Sequence, residues 1–185
     1  MQIGKGDDNP FLYLSEFCLA PACGVRHHDD MKALPIESVD GCISVTFRLY
    51  PTGAHMRRAI RRIFPDEPLD RTSIGYHVCK GRVSNIFLPE KGNAWRDSLL
   101  HECVHAADHM VTYKPRGVAR TEFRAYFAQG LHDCFLKWAI NGFPDPHTLD
   151  FGSCLNSLSQ AFDPAFSTGT TQRRRRYVVD TCPGV

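Results

Sequence analysis

From Asn93 onward, the stretch AWRDSLLHECVHAADHMVTY carries apolar residues at 99/100, 103/104, 107 and 110/111. That spacing gathers them on one side only if the chain winds into an α-helix of about four turns. Asn93 is read as its N-cap, because a short amide side chain can accept from the orphan amides of a first turn. The same helix sets His101 and His105 four residues apart, with Glu102 beside the first. Positions i and i+4 project from one face about 6 Å apart, so both imidazoles can reach one ion.

The surrounding segments supply a sheet and further helices. In CISVTFRLY, Ile43, Val45, Phe47 and Leu49 alternate with Ser44, Thr46 and Arg48, the period of two of a half-buried strand, and Pro51 and Gly53 end it. AHMRRAIRRIF follows with Met56, Ile60 and Ile63/Phe64 at helical spacing and Arg57, Arg58, Arg61 and Arg62 on the other faces. SIGYHVC and VSNIFL, separated by Lys80-Gly81-Arg82, read as a β-hairpin closed by Pro89. After a polar connection with Pro115 and Gly117, TEFRAYFAQGLHDCFLKWAI repeats the helical pattern until Asn141-Gly142 and Pro144 stop it. Gly130 inside that helix costs about 1 kcal/mol relative to Ala, which points to close packing there. The order strand, helix, strand, strand, helix, helix is that of an α+β domain.

A length of 185 residues suits one domain that buries roughly 70% of its unfolded surface. We place that domain at residues 1–150, with 1–40 poorly defined, and read 151–185 as a C-terminal extension ending in a basic tail, Arg173–Arg176. Twenty-two basic and twenty acidic residues give a formal charge of +2, so no global field calls for nucleic acid or an anionic membrane. The arginine-rich helix is followed by Asp66, Glu67 and Asp70 and carries no interleaved aromatics; it reads as a solvated face, and a nucleic-acid partner is not favoured. The string HHDD at 27–30 reads as a solvated loop, and Cys-Pro-Gly-Val at the end is a poor prenylation signal. Eight cysteines show no CxxC pair and fit buried thiols. No segment resembles a Sec leader and no run approaches ~18 apolar residues, so no membrane partner is expected, and the protein is expected to be cytoplasmic or exported by a leaderless route.

Two histidines supply half of a catalytic zinc site. The expected third ligand is Glu122, 17 residues after His105 and near the start of the following helix, which would give a His₂Glu set for Zn2+. Glu102 is placed to take a proton from water and pass it to a leaving group. Asp108 and Tyr126 are expected to orient the ligands through hydrogen bonds. His109, a further turn along, lies too far to join an ion held by the first two. The function expected is a zinc metallopeptidase, a toxin- or effector-type protease by analogy. Its alternatives are a binding module without catalysis and a zinc amidase acting on non-protein amide bonds.

HECVH followed by TEFRAYF resembles the gluzincin branch of the zincin metallopeptidases, and residues 99–133 are similar to the compact zincin domains of bacterial toxins. The resemblance implies a small mixed sheet with a backing helix, an HExxH active-site helix and a following glutamate-bearing helix. It also implies His101, His105 and Glu122 as zinc ligands and Glu102 as general base. Asn85–Pro89 would be the strand that binds a protein or peptide substrate in extended form. The oxyanion-stabilising residue would be Tyr113, with His132 and His147 behind it. Where the thermolysin type has a carboxylate four residues after the glutamate ligand, this chain has Tyr126.

Overall fold

The computed structural model describes residues 17–19, 31–38, 43–70 and 72–163. The HHDD string, Arg173–Arg176, the terminal Cys-Pro-Gly-Val and Cys23, Cys42 and Cys182 lie outside them. Five strands form one mixed sheet in the order β1-β2-β3-β5-β4: β1 (Phe17–Leu19), β2 (Lys32–Ser38), β3 (Ser44–Tyr50), β4 (Tyr76–Lys80) and β5 (Val83–Pro89). All neighbours are antiparallel except β3 and β5, which run parallel. Helix α1 (Gly53–Ile63) lies in the crossover between those two. Helices α2 (Trp95–Met110), α3 (Arg120–Ile140) and α4 (Gly152–Gln160) follow the sheet, and the fold is α+β, as expected.

Alternation along the central strands divides the core in two. Val45, Phe47, Leu49, Ile86 and Leu88 join the inner faces of α2, α3 and α4. Tyr50, Phe87 and Val78 face the other way and pack with Met56 and Ile60 of α1. Strand β5 is therefore buried on both faces. Its Arg48–Asn85 bond to β3, Nε donating to Oδ1 at 3.0 Å, satisfies one of the few polar groups there. Thr52 caps α1 by accepting from the His55 amide.

Several boundaries differ from expectation. Asn93 does not cap α2. With Gly92 it takes a positive φ (56° and 71°) in a short 3₁₀ turn that reverses the chain, and α2 begins at Trp95 without a side-chain cap. Leu100 and Val104, expected on the buried stripe, are 54% and 38% exposed, because the stripe that meets the core runs through Leu99, Cys103, Ala106/Ala107 and Met110. Strands β1 and β2 were not expected. Pro35 is tolerated within β2 because β1 pairs only with Ile36 to Ser38, so no strand requires an amide from Pro35 on that side. The segment after 150, read as an extension, contributes Phe151, Leu158, Ala161 and Phe162 to the main core. Among the described residues no helix is long and apolar enough to cross a membrane.

The close packing expected at Gly130 is found. A Cβ there would stand 2.8 Å from Leu158 Cγ and 3.0 Å from the Leu158 backbone nitrogen, so α3 and α4 approach at this point with no room for a side chain. Gly130→Ala is expected to gain about 1 kcal/mol of helix propensity and lose more, roughly 2–3 kcal/mol, to overpacking against backbone that cannot step aside. The expected net result is a lower midpoint in urea unfolding with unchanged slope; a raised midpoint would mean that the helices separate at little cost.

Candidate functional site

Helix α2 presents His101 and His105 on its exposed face, one turn apart. Their rings meet edge to face at 4.4 Å between centroids, and the two Nε2 atoms lie 2.9 Å apart. Glu102 lies beside them, about 100° around the helix from His101 and about 60° from His105, and turns in toward β4 with 5% of its surface exposed. Burial pushes its carboxyl above the usual range, opposed by the nearby His101. Gly75, just before β4, leaves space for this arrangement. A Cβ at that position would lie 2.7 Å from Ser98 Oγ and 3.1 Å from Glu102 Cγ, so the strand can lie this close to α2 only as glycine. The Ser98 hydroxyl is itself buried without a protein partner, one turn before Glu102.

Strand β4 adds an imidazole, His77, that no spacing in the sequence singles out. His77 lies on the sheet face toward α2, stacked at 8° on His105 with centroids 6.4 Å apart, and 6.2 Å from His109. Its Nε2 is 2.7 Å from Ser84 Oγ. Burial, then the neighbouring His109 and His105, pulls His77 down to about 4, so it is neutral at physiological pH. The signal available was a histidine within a predicted strand just upstream of the helix, which does not reveal a partner 28 residues away. His109 bonds the Gly81 carbonyl at 2.5 Å, which requires its Nε2 to carry the hydrogen. Arg82 lies over the Tyr113 ring at 5.2 Å. Together these contacts tie the hairpin loop, where Gly81 supplies the positive φ, to the end of α2.

Other expected roles are not met. Tyr113 belongs to this tether: it packs on His109 and Arg82, about two helical turns and roughly 12 Å along the axis from His105, too far to reach a reacting carbonyl there. Asp108 does not orient a histidine, because Arg124 of α3 grips both its oxygens, one at 3.0 Å. That ion pair also explains Glu122. On α3 the buried stripe runs through Phe123 and Phe127, with Glu122 and Arg124 on opposite flanks about 160° apart. The flank beside Asp108 carries Arg124. Among the described residues no group of three or more His, Cys, Asp or Glu side chains is placed to hold a metal ion. Asn85–Pro89 cannot take a peptide strand either, since β5 is paired to β3 on one side and β4 on the other.

The donor chemistry can be tested against zinc directly. Tetrahedral Zn–N bonds of 2.0–2.1 Å would set two imidazole nitrogens roughly 3.3 Å apart, close to the separation found, so the histidine pair fits an ion. The three-ligand set does not form among the described residues. No protein family, curated protein or solved structure matches this chain. The resemblance to gluzincins is therefore overturned: it rested on a five-residue string and a helical spacing, and the rotation of α3 withholds the ligand that would have made it specific.

Proposed function

We propose that the protein is a zinc-dependent hydrolase of peptide bonds, with His101 and His105 as the metal-binding pair and Glu102 as the general base. The observation that carries this reading is the convergence of the two Nε2 atoms on an exposed helix face, beside a buried carboxyl of raised pKa. Zinc, when bound, acidifies water and polarises a carbonyl. Glu102 takes the proton from the attacking water and returns it to the leaving amine, and its raised pKa brings it nearer to the range suited to both transfers. The partner is an extended protein or peptide substrate laid along the outer edge of β4, which has no second neighbour among the described residues. An added strand would run about 4.8 Å beyond β4, past His77 and toward His105.

Two protein donors hold zinc less tightly than three, so the metal is expected to be readily removed by a chelator and restored on addition. Metal analysis after reconstitution should give about one zinc per chain in wild type, little in His105→Ala, and an undiminished amount in Glu122→Ala. Loss of zinc in Glu122→Ala would mean that α3 rotates to close the site. The second reading, a binding module without catalysis, is favoured by the absence of a third donor among the described residues. In that case the histidines simply hydrogen-bond each other, and no zinc would be retained by wild type.

A further inference from the structure

The packing of α3 against α4 brings two thiols together away from the histidine pair. Phe162 packs on Phe123 and Phe127 and Gly130 sits on Leu158, so α3 and α4 run antiparallel, and the same register sets Cys134 of α3 opposite Cys154 of α4. The glycine allows the axes to approach closely, toward the short end of the 8–10 Å range of packed helices. Both cysteines are free thiols; Cys134 is fully buried and Cys154 reaches the surface edge at 9% exposure. Ser153 Oγ lies 3.9 Å from the Cys154 sulfur.

We infer that Cys134 and Cys154 form a reactive thiol pair that a small disulfide, such as oxidised glutathione, converts to an intrachain disulfide. The Cys154 thiolate attacks one sulfur of the oxidant, forming a mixed disulfide and releasing one glutathione thiolate, which takes up a proton. Cys134 then loses its proton and attacks the Cys154 sulfur, and the second glutathione leaves as a thiol. Two protein thiols are oxidised and one glutathione disulfide is reduced to two thiols. Cys154, at the surface edge, is the thiol a small disulfide can reach, and the fully buried Cys134 is left to resolve the mixed disulfide. The order of attack follows. Side chains set opposite each other across this close helix contact are placed for the ~2.05 Å bond. Cys103 of α2 is near enough to act electrostatically on Cys134 and is the competing partner.

The test is to equilibrate the full chain in a series of oxidised and reduced glutathione, block free thiols, and map peptides without reduction, for wild type, Cys154→Ala and Cys79→Ser. The expected result is a peptide linking Cys134 to Cys154 in wild type and Cys79→Ser, absent in Cys154→Ala. Closing a loop of 20 residues (154 − 134) should raise Tm by roughly 5–10 °C in the two variants that can form it. Alkylatable Cys134 and Cys154 throughout the series, a stable mixed disulfide left on Cys154, or a link from Cys134 to Cys103 would each overturn the assignment. Cys154→Ala removes only a sulfur near the surface edge, a smaller change than a hydroxyl placed at the fully buried Cys134.

Discussion

Glu102→Gln is expected to lower peptide hydrolysis at least about a hundredfold while zinc content stays at the wild-type level, since general base catalysis contributes some 10²–10⁴ in rate. Glutamine keeps the shape that fits beneath Gly75 but has no basic oxygen. Stability should not fall with the activity. Burial raises the Glu102 pKa in the fold, so the native state binds its proton more readily than the unfolded chain does. The stability this group contributes is present below its unfolded pKa and is lost as pH rises through the higher folded value. At neutral pH the neutral amide therefore removes an unfavourable buried charge, and Tm should hold or rise. A variant that is inactive, zinc-replete and no less stable isolates the proton transfer from folding and metal binding. Zinc-replete Glu102→Gln that hydrolyses peptide at the wild-type rate would move the base elsewhere.

Strand β3 was legible because its polar residues alternate with apolar ones even though both its neighbours are strands: Ser44, Thr46 and Arg48 are only half-buried, on the face toward α1. Strand β2 was not, because Pro35 and the mixed residues around it give no clear period, and only the missing overlap with β1 makes the proline acceptable. The histidine pair could be read because i and i+4 lie on one helix and need no other element. The third ligand could not, since it depends on how α3 is rotated against α2, and the period of one helix says nothing about its rotation against another. Arg124, drawn to Asp108, accompanies the rotation that puts Glu122 on the far flank. Sheet order was not legible for the same reason. That β5 lies between β3 and β4 comes from a parallel pairing across the α1 crossover, which local alternation does not encode, and it moves the open edge from Asn85–Pro89 to the strand bearing His77.

Trp138→Ala is expected to destabilise the fold by about 3–5 kcal/mol, lowering Tm by roughly 10 °C or more. The residue is 1% exposed and does more than fill volume. It occupies the last turn of α3, where the Phe143 amide donates to the Trp138 carbonyl and the Gly142 amide to the Ala139 carbonyl, the two bonds of a Schellman ending. Gly142 takes φ 79° without cost, but Phe143 takes φ 56°, which a β-carbon disfavours. What holds Phe143 there is its ring, packed edge-on against Trp138 at 5.1 Å and against Phe135 and Trp95. The indole also donates to the Pro144 carbonyl at 2.8 Å, fixing the chain as it leaves the helix. Truncation opens a cavity, frees that carbonyl and removes the contact that offsets the strained φ. Trp138→Phe keeps a ring and loses chiefly the hydrogen bond and some volume, so it should cost only about 1–2 kcal/mol. Urea midpoints at constant slope measure both. If the two variants unfold at the same midpoint, the ring contact with Phe143 contributes nothing and the indole hydrogen bond alone secures the end of α3.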